Sequence, residues 1–434
     1  MIKRIFNICK RSTKFAPALA VIIAAACSSP GELDDKNYNE RIIEVSSQLQ
    51  SDSANFDLLK EYALLLVLSK DNSEAEIEIE KALSIAPNDP QLLFNKGLNY
   101  EFLNDTVKAI EAYSKYGSVE AASEYRDMMQ GRYLLLSREL MKSDTKKLAA
   151  KENNLSTDNI SGSNIAIFPM DYIGLDEKYA VLSNGFSEMI SIDLGKVKNL
   201  RVLERIRLQT ILDELKLSQS KFVDRETAPR VGKILSAGKL YDGVINITEE
   251  GELLIEVSHW DILNNTRSPA IKRDGDLSEL FILEKEIVFH ILDQLEIKLT
   301  PLEREEIEYI PTENINAFLA YSRGLAQEEE GNYSQAAISF NTAVELDPGF
   351  TSAHNKQIEN RSKEAGKGSK EKLLGTVGEL QIGGTVQTSL IDERLNKLGE
   401  GIRSTFSNSI DSRTPAQDSD KGINDLPPPP PPVR

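Results

Sequence analysis

The chain has 434 residues, 40% of them hydrophobic and 27% charged, an ordinary globular balance with enough length for two or three domains. Its 68 Asp and Glu outnumber its 51 Lys and Arg, and a surface with a net charge of -17 repels phosphate backbones. We therefore expect no nucleic-acid partner. Two cysteines, Cys9 and Cys27, and three dispersed histidines show no metal-ligand spacing, so we expect no metal site.

The first 26 residues have the pattern of a secretory signal. The basic residues come first: Lys3, Arg4, Lys10, Arg11 and Lys14. An uncharged, mostly apolar stretch follows at 15–26, and it is too short for a helix that needs about 20 residues to span a bilayer. The run from Ala24 to Cys27 then resembles the lipobox of bacterial lipoproteins, where the signal is cleaved and the cysteine is lipidated. We predict that residues 1–26 are removed and that Cys27 becomes a lipidated N-terminus.

The lipid anchor sets the expected location of the protein. Ala24 replaces the leucine that is usual in a lipobox, so a plain secretory signal or an uncleaved anchor stays open. Residues 27–39 read as a polar tether, and Ser28 after the cysteine fits delivery to the outer membrane of a Gram-negative cell. We predict a lipid-anchored outer-membrane protein that faces the periplasm and contacts the membrane through Cys27.

A 34-residue period indicates helical repeats in a domain at 40–150. The matched pairs are Ala63 and Gly97, Leu66 and Tyr100, Ala75 and Ala109, and Ile79 and Tyr113. Small residues at these positions let two helices approach closely, and Pro87 ends a helix because it donates no hydrogen bond. The pattern resembles the tetratricopeptide repeat, with a third or capping helix around Gly131. A plain helical hairpin is the alternative.

A second repeat is predicted at 312–360. Its signature residues are Gly324, Ala336, Phe340, Ala343 and Pro348. They occupy the same positions of the 34-residue pattern, which favours another tetratricopeptide hairpin over a plain one.

Residues 163–300 change from helical repeats to a mixed α/β pattern. A short apolar run at 165–168 predicts a buried strand, and apolar residues at 182–194 have helical spacing. Further segments predict a strand at 200–203, helices from 204 and at 227–235, two strands at 241–248 and 252–263 joined as a hairpin, a short strand at 267–272 and a helix at 276–297.

The stretch at 199–245, which includes ERIRLQTILDELKL, resembles the curli-assembly outer-membrane lipoprotein family, the family of the curlin secretion channel. IAIFPMD near 165 and LTPLEREEI near 300 are similar to members that carry repeats. The resemblance covers about 163–300 and implies an α/β domain in an envelope protein. Because relatives self-associate, it leaves open a homo-oligomer through this domain.

The sequence offers no group that predicts catalysis. Glu204, Arg205 and Arg207 are expected to be structural charges at the start and on the exposed side of a helix, as are Asp213 and Glu214. His259, Trp260 and Asp261 are adjacent in a predicted strand. Because neighbouring side chains in a strand point to opposite faces, this adjacency does not predict a catalytic pair of His and Asp. The glycine-rich stretch 378–385 lacks the lysine and serine of a phosphate-binding loop. We expect no enzyme and no cofactor.

Residues 361–434 are predicted to be a low-complexity, disordered tail. An amphipathic segment at 390–406 leaves two alternatives, a partner-binding helix or a weakly ordered stretch. Six consecutive prolines at 427–432 favour an extended polyproline II geometry, as a spacer or a docking strip.

Together these features predict an α+β multidomain protein in which tetratricopeptide hairpins flank a curli-assembly-like α/β domain. The predicted function is a lipid-anchored envelope scaffold that binds envelope proteins through its repeats, without a transmembrane pore. Two alternatives stay open: a secretion-channel component for curli-like fibre subunits, and an activator of a peptidoglycan synthase.

Overall fold

The computed structural model of the protein describes residues 35–152, 155, 160–215 and 227–382. Within these residues, helical repeats precede and follow a mixed sheet along the chain, so the α+β multidomain class is confirmed. Cys27, the amphipathic segment 390–406 and the prolines at 427–432 lie outside the described residues.

Six helices form the N-terminal block. They are α1 (Asp35–Ser51), α2 (Phe56–Leu68), α3 (Asn72–Ile85), α4 (Pro90–Phe102), α5 (Thr106–Tyr113) and α6 (Glu124–Ala150). The helix starts are set locally, because the side chains of Asn55, Asp89 and Asp105 accept hydrogen bonds from backbone N–H groups of the first turns. Helix α1 begins at Asp35, inside the stretch that the sequence predicts as a tether.

The central α/β region contains seven strands and four helices among the described residues. They are β1 (Ser161–Ile167), β2 (Asp171–Tyr172), α7 (Leu182–Gly195), β3 (Arg201–Val202), α8 (Arg205–Leu215), α9 (Thr227–Leu235), β4 (Ala237–Ile247), β5 (Glu252–Asp261), β6 (Thr266–Arg267), β7 (Ile271–Asp276) and α10 (Leu280–Gln294). The sequence predicts one strand after the hairpin, whereas the structure has two, β6 and β7, which pair with opposite ends of β5.

The sheet combines parallel and antiparallel pairs. Its order is β3-β1-β4-β5-β6, with β2 beside β4 and β7 beside β5. Strands β1, β2 and β3 run parallel to their partners, while β4 and β5 form the antiparallel hairpin that the sequence predicts, with Tyr241 opposite His259 and Ile247 opposite Leu253.

Alternation along the strands produces two apolar layers. Ile165 and Ile167 of β1 join the core under α7 and α10, whereas Ala166 and Phe168 join the core under α8 and α9. This explains why the run at 165–168 is apolar without interruption: both faces of β1 are covered by helices.

Five helices complete the described chain. They are α11 (Pro301–Glu308), α12 (Ile315–Glu329), α13 (Tyr333–Leu346), α14 (Thr351–Ala365) and α15 (Lys370–Ile382). The sequence places residues 361–382 in a low-complexity tail, but the structure places them in the last turn of α14, a short link at 366–369 and α15. Glycines at 375 and 378 favour a polar, irregular tail in the sequence, yet Leu373, Leu374 and Val377 are buried.

The two repeat blocks also meet in space. Helix α12 packs on α7 of the α/β region, α13 packs between α12 and α14, and α14 packs on α6 of the N-terminal block. The longer helix α6 in turn contacts α8 and α9. The repeats therefore form one array in which α6 and α14 are neighbours, although more than 200 residues separate them in the chain.

Candidate interaction surface

Glycines bring paired helices together in both repeat blocks. A Cβ on Gly97 of α4 would lie 2.5 Å from the ring of Tyr113 on α5. A Cβ on Gly324 of α12 would lie 2.7 Å from the ring of Phe340 on α13. Both rings are fully buried. The small residues of the repeat pattern therefore serve packing, since any side chain there would have to push an aromatic ring aside.

Helices α6 and α14 approach each other even more closely. A Cβ on Gly131 would lie 1.8 Å from the backbone oxygen of Ser362. The hydroxyl of Ser362 donates a hydrogen bond of 2.9 Å to Oε1 of Gln130. The sequence predicts that Gly131 belongs to a third or capping helix, and the structure shows that its neighbour comes from the C-terminal block.

Arg132 of α6 connects three segments. Its guanidinium forms a bidentate ion pair with the carboxylate of Glu101 at the end of α4. Its Nη1 also donates to the backbone oxygens of Gly366 at 3.3 Å and Gly368 at 3.1 Å. Both glycines lie in the short link between α14 and α15. Arg132 therefore fixes the position from which α15 starts.

A buried ion-pair cluster lies between α12, α14 and α6. Glu328 of α12 pairs with Lys363 and, at 3.2 Å, with Lys356, both on α14. Burial alone would raise the pKa of Glu328, but the two lysine charges outweigh it and hold that pKa well below its usual value. Arg138 of α6 donates to the backbone oxygens of Glu328 and Glu329 at 3.3 and 3.2 Å.

Helix α15 lies on the N-terminal block. Its buried residues Leu373, Leu374 and Val377 belong to the same apolar core as α2 and α4. At its start, Nζ of Lys370 donates to the backbone oxygen of Glu101 at 3.1 Å and to Oδ1 of Asn104 at 3.3 Å, and it lies 5.2 Å from the Phe102 ring centre. We call the side of α4 that α15 covers, with Phe102 and Asn104 at its end, the α4 face.

Charged residues of α8 are less exposed than the sequence predicts. Nε of Arg205 lies 2.5 Å from Oε1 of Glu329 on α12, and its Nη1 donates to the backbone oxygen of Asn184 at 3.4 Å. Arg207 is paired with Glu204 at 3.0 Å, and the arginine side chains are only 21% and 14% exposed. Arg205 thus joins α8 to elements distant in sequence, whereas the pair of Arg207 and Glu204 is local to the start of the helix. Asp213 and Glu214 are exposed as expected.

The three histidines lie on three different elements, β5, α10 and α14. His259 is buried beside the Tyr241 ring, and burial with the charge of Lys239 lowers the pKa of His259 to about 4. Asp261, on the same strand face, is paired with Lys239 at 3.0 Å. His290 and His354 are exposed on α10 and α14.

The core of the α/β region contains one unusual carboxyl group. Glu284 of α10 is fully buried beside Lys285, whose Nζ lies 3.3 Å away and also pairs with Asp193 of α7. Burial, together with the negative charge of Asp193, raises the pKa of Glu284 to about 8. Glu284 is therefore mostly protonated at neutral pH.

Two further features concern chemistry and membranes. In the described part of the chain, no group of three or more His, Cys, Asp or Glu side chains is arranged to hold a metal ion. Within the same residues, every helix is too short or too polar to cross a membrane.

Family comparisons support both parts of the predicted combination. Residues 160–250 match the family described as curli production assembly/transport component CsgG, and residues 319–350 match the tetratricopeptide repeat. The resemblance drawn from the sequence is thus confirmed, and tetratricopeptide repeats are a class of protein–protein interaction module. A search of curated proteins finds none that matches the sequence.

Several solved structures share local similarity with the chain. The LpoB C-terminal domain from Salmonella enterica is 11% identical, with a TM-score of 0.23, over 30% of this chain and 95% of that domain. The NMR structure of E. coli LpoB is 9% identical, with a TM-score of 0.22, over 30% of this chain and 64% of that one. A tetratricopeptide repeat protein from Parabacteroides merdae is 13% identical, with a TM-score of 0.22, over 76% of this chain and 94% of that one. TM-scores this low do not establish a common fold.

Proposed function

We propose that the protein is a non-enzymatic, lipid-anchored scaffold of the cell envelope that binds protein partners through its repeats. The observation that carries this proposal is the single helical array, in which α6 and α14 join both repeat blocks and α12 joins them to the α/β region. An array of this kind presents a continuous surface, and contacts such as Gly97 to Tyr113 serve packing.

Crosslinking in membranes tests partner binding directly. A photo-reactive residue would be placed at exposed positions of the array, such as Val107 or Ile77, and at exposed Leu263 of the α/β region as a control. We expect specific protein adducts from the array positions, identified by mass spectrometry. Adducts only from the control position, or none from any position, would contradict the proposal.

The location rests on Cys27, which lies outside the described residues. The proposal is that its thiol carries the lipid that holds the protein at the outer membrane, facing the periplasm. Cys27→Ser should move the protein to the soluble envelope fraction and abolish labelling by a fatty-acid analogue. Retained labelling together with unchanged membrane association would contradict the anchor.

A channel role, which the match to the CsgG family raises as a second candidate, is less well supported. The loop between β4 and β5 is a tight turn at 248–252, where the Thr248 N–H donates to the Glu252 oxygen at 2.9 Å. Each membrane-crossing strand needs about 9 to 11 residues, and only the four residues 248–251 separate β4 from β5. We propose that the protein forms no transmembrane pore. The lipidated protein should give no conductance steps in planar bilayers, and reproducible steps would favour a channel component.

The role as an activator of a peptidoglycan synthase remains the alternative within the scaffold proposal. The crosslinking experiment distinguishes it, because a synthase among the adducts would identify that role. Self-association through the α/β region is also proposed, and it would appear as adducts between two copies of the chain.

A further inference from the structure

We infer that the α4 face is a binding site for a partner helix, and that α15 occupies this site until a partner displaces it. The inference rests on the proposed function and adds where the partner binds and which chemistry it needs. The partner would be a polypeptide helix with a lysine, two adjacent leucines three and four residues later, and a valine after three more.

The position of α15 separates it from an ordinary end cap of a repeat array. The last helices before α15 are α13 and α14, yet α15 packs on α4, in the interior of the N-terminal block. Helix α4 is also contacted by α2, α3, α5 and α6. Helix α15 therefore covers the side of α4 that the other repeat helices leave open, where an array of repeats presents its binding surface.

The contacts of α15 define what the α4 face recognises. Leu373, Leu374 and Val377 are 3%, 7% and 0% exposed, so they supply the apolar anchors. Lys370 supplies a positively charged group at the start of the helix, where the backbone oxygen of Glu101 and Oδ1 of Asn104 accept from its Nζ. A helix that docks by a few apolar anchors at these spacings is a known mode of peptide recognition.

Two glycines weaken α15 as a helix and so favour its release from the α4 face. Its interior contains Gly375 and Gly378, and each glycine lowers helix stability relative to alanine. Gly375 is exposed, and a Cβ there would meet nothing within 4 Å, so no contact in the structure requires glycine at this position. The short link to α14, fixed by Arg132, nevertheless keeps α15 at a high effective concentration beside its site.

A peptide in solution would therefore compete with α15. The probe is a fluorescently labelled peptide of residues 369–382, and fluorescence anisotropy measures its binding to the full chain. Leu374→Asp should place a charge in the apolar contact and release α15, so we expect the peptide to bind this variant at least tenfold more tightly than wild type. Lys372→Ala, at an exposed position of the same helix, serves as the control and should match wild type.

Gly375→Ala tests the opposite direction. It should stabilise docked α15 without a steric conflict and weaken peptide binding about fivefold relative to wild type. Equal binding by wild type, Leu374→Asp and Gly375→Ala, or no binding to any of them, would overturn the inference. Unchanged thermal unfolding of the remaining chain in Leu374→Asp verifies that only α15 is released.

The peptide-binding experiment and the membrane crosslinking experiment test different claims, so one can fail without the other. If membrane crosslinking captures the same partner with wild type and Leu374→Asp while the peptide binds neither, the scaffold proposal stands and this inference fails. If the peptide binds Leu374→Asp tightly but no partner is captured from membranes, the inference stands and the scaffold proposal fails.

Discussion

The contact between α7 and α12 and the contact between α6 and α14 join the same helical array, but they differ in chemistry. At the first, Gly185 of α7 lies against the ring of Phe318 on α12, and this ring also meets Phe281 of α10 edge-on, with ring centres 5.3 Å apart, inside one apolar core shared with the sheet. At the second, backbone meets backbone at Gly131 and Ser362, and polar side chains surround the contact.

The difference bears on what each contact can do. An apolar contact gains stability with the area that it buries and tolerates small changes of shape. A contact made of buried charges and hydrogen bonds contributes less net stability but allows few alternative arrangements, because every unpaired group is costly. We infer that α7 and α12 supply stability, while α6 and α14 fix how the two repeat blocks are oriented.

Removing the central charge of the ion-pair cluster between α12 and α14, beside Arg138 of α6, should have the largest effect. Glu328→Gln leaves buried Lys363 and half-buried Lys356 with only the more distant carboxylate of Glu359, at 3.8 and 3.7 Å, and we expect a loss of about 3 kcal/mol in urea unfolding at neutral pH. Because the pKa of Glu328 is lowered, its contribution is present at neutral pH and disappears only in acid. Exposed Glu330→Gln is the control, and an equal loss in both variants would contradict the role of Glu328.

A pair of glycine substitutions compares the two contacts directly. Gly131→Ala forces a methyl group into the backbone oxygen of Ser362, and we expect a loss of about 2 to 3 kcal/mol. Gly185→Ala, at the α7 and α12 contact, meets mainly the movable side chain of Ser322 at 2.0 Å and should cost about 1 kcal/mol. Gly195→Ala, with open space around it, should be nearly neutral. The reverse order of the first two would refute the comparison.

A substitution in the core of the α/β region should raise stability instead of lowering it. Glu284→Gln keeps the shape of the protonated side chain but cannot ionise. The folded-state pKa of about 8 exceeds the ordinary value near 4.5, so wild type loses stability as pH rises between these values. We expect the variant and wild type to be equally stable below about pH 4.5, and the variant to become the more stable of the two as the pH rises to 8. A difference in stability that does not change with pH would contradict this account.

Sequence reasoning predicts the parts that local patterns encode. The β4 and β5 hairpin follows from two apolar runs around a Glu-Glu-Gly turn, and the α12 and α13 hairpin follows from the spacing of Gly324, Ala336 and Phe340. Helix α9 is predicted with the bounds that the structure shows.

The contacts between distant segments could not be predicted in this way. Gly131 meets Ser362, and Arg205 meets Glu329, across more than 100 residues of chain, and no period or motif connects such positions. Helix α15 escapes detection because Gly375 and Gly378 lie among its apolar residues Leu373, Leu374 and Val377 and lower the helix propensity of the stretch. The sequence did contain one signal for the contact between α6 and α14, because Gly131 fits the repeat pattern. A glycine at such a position indicates that another helix packs closely there, but it does not identify that helix.

The central claim is that both repeat blocks form one array through α6 and α14, and a disulfide tests it most directly. Gln130→Cys and Ser362→Cys would be combined in a chain that carries Cys9→Ser and Cys27→Ser, since the backbones of α6 and α14 are in direct contact beside these two positions. Mild oxidation of the folded monomer should close the loop between these positions in most molecules, giving faster migration on a non-reducing gel. Absence of this species, or its formation only as crosslinked dimers, would contradict the single array.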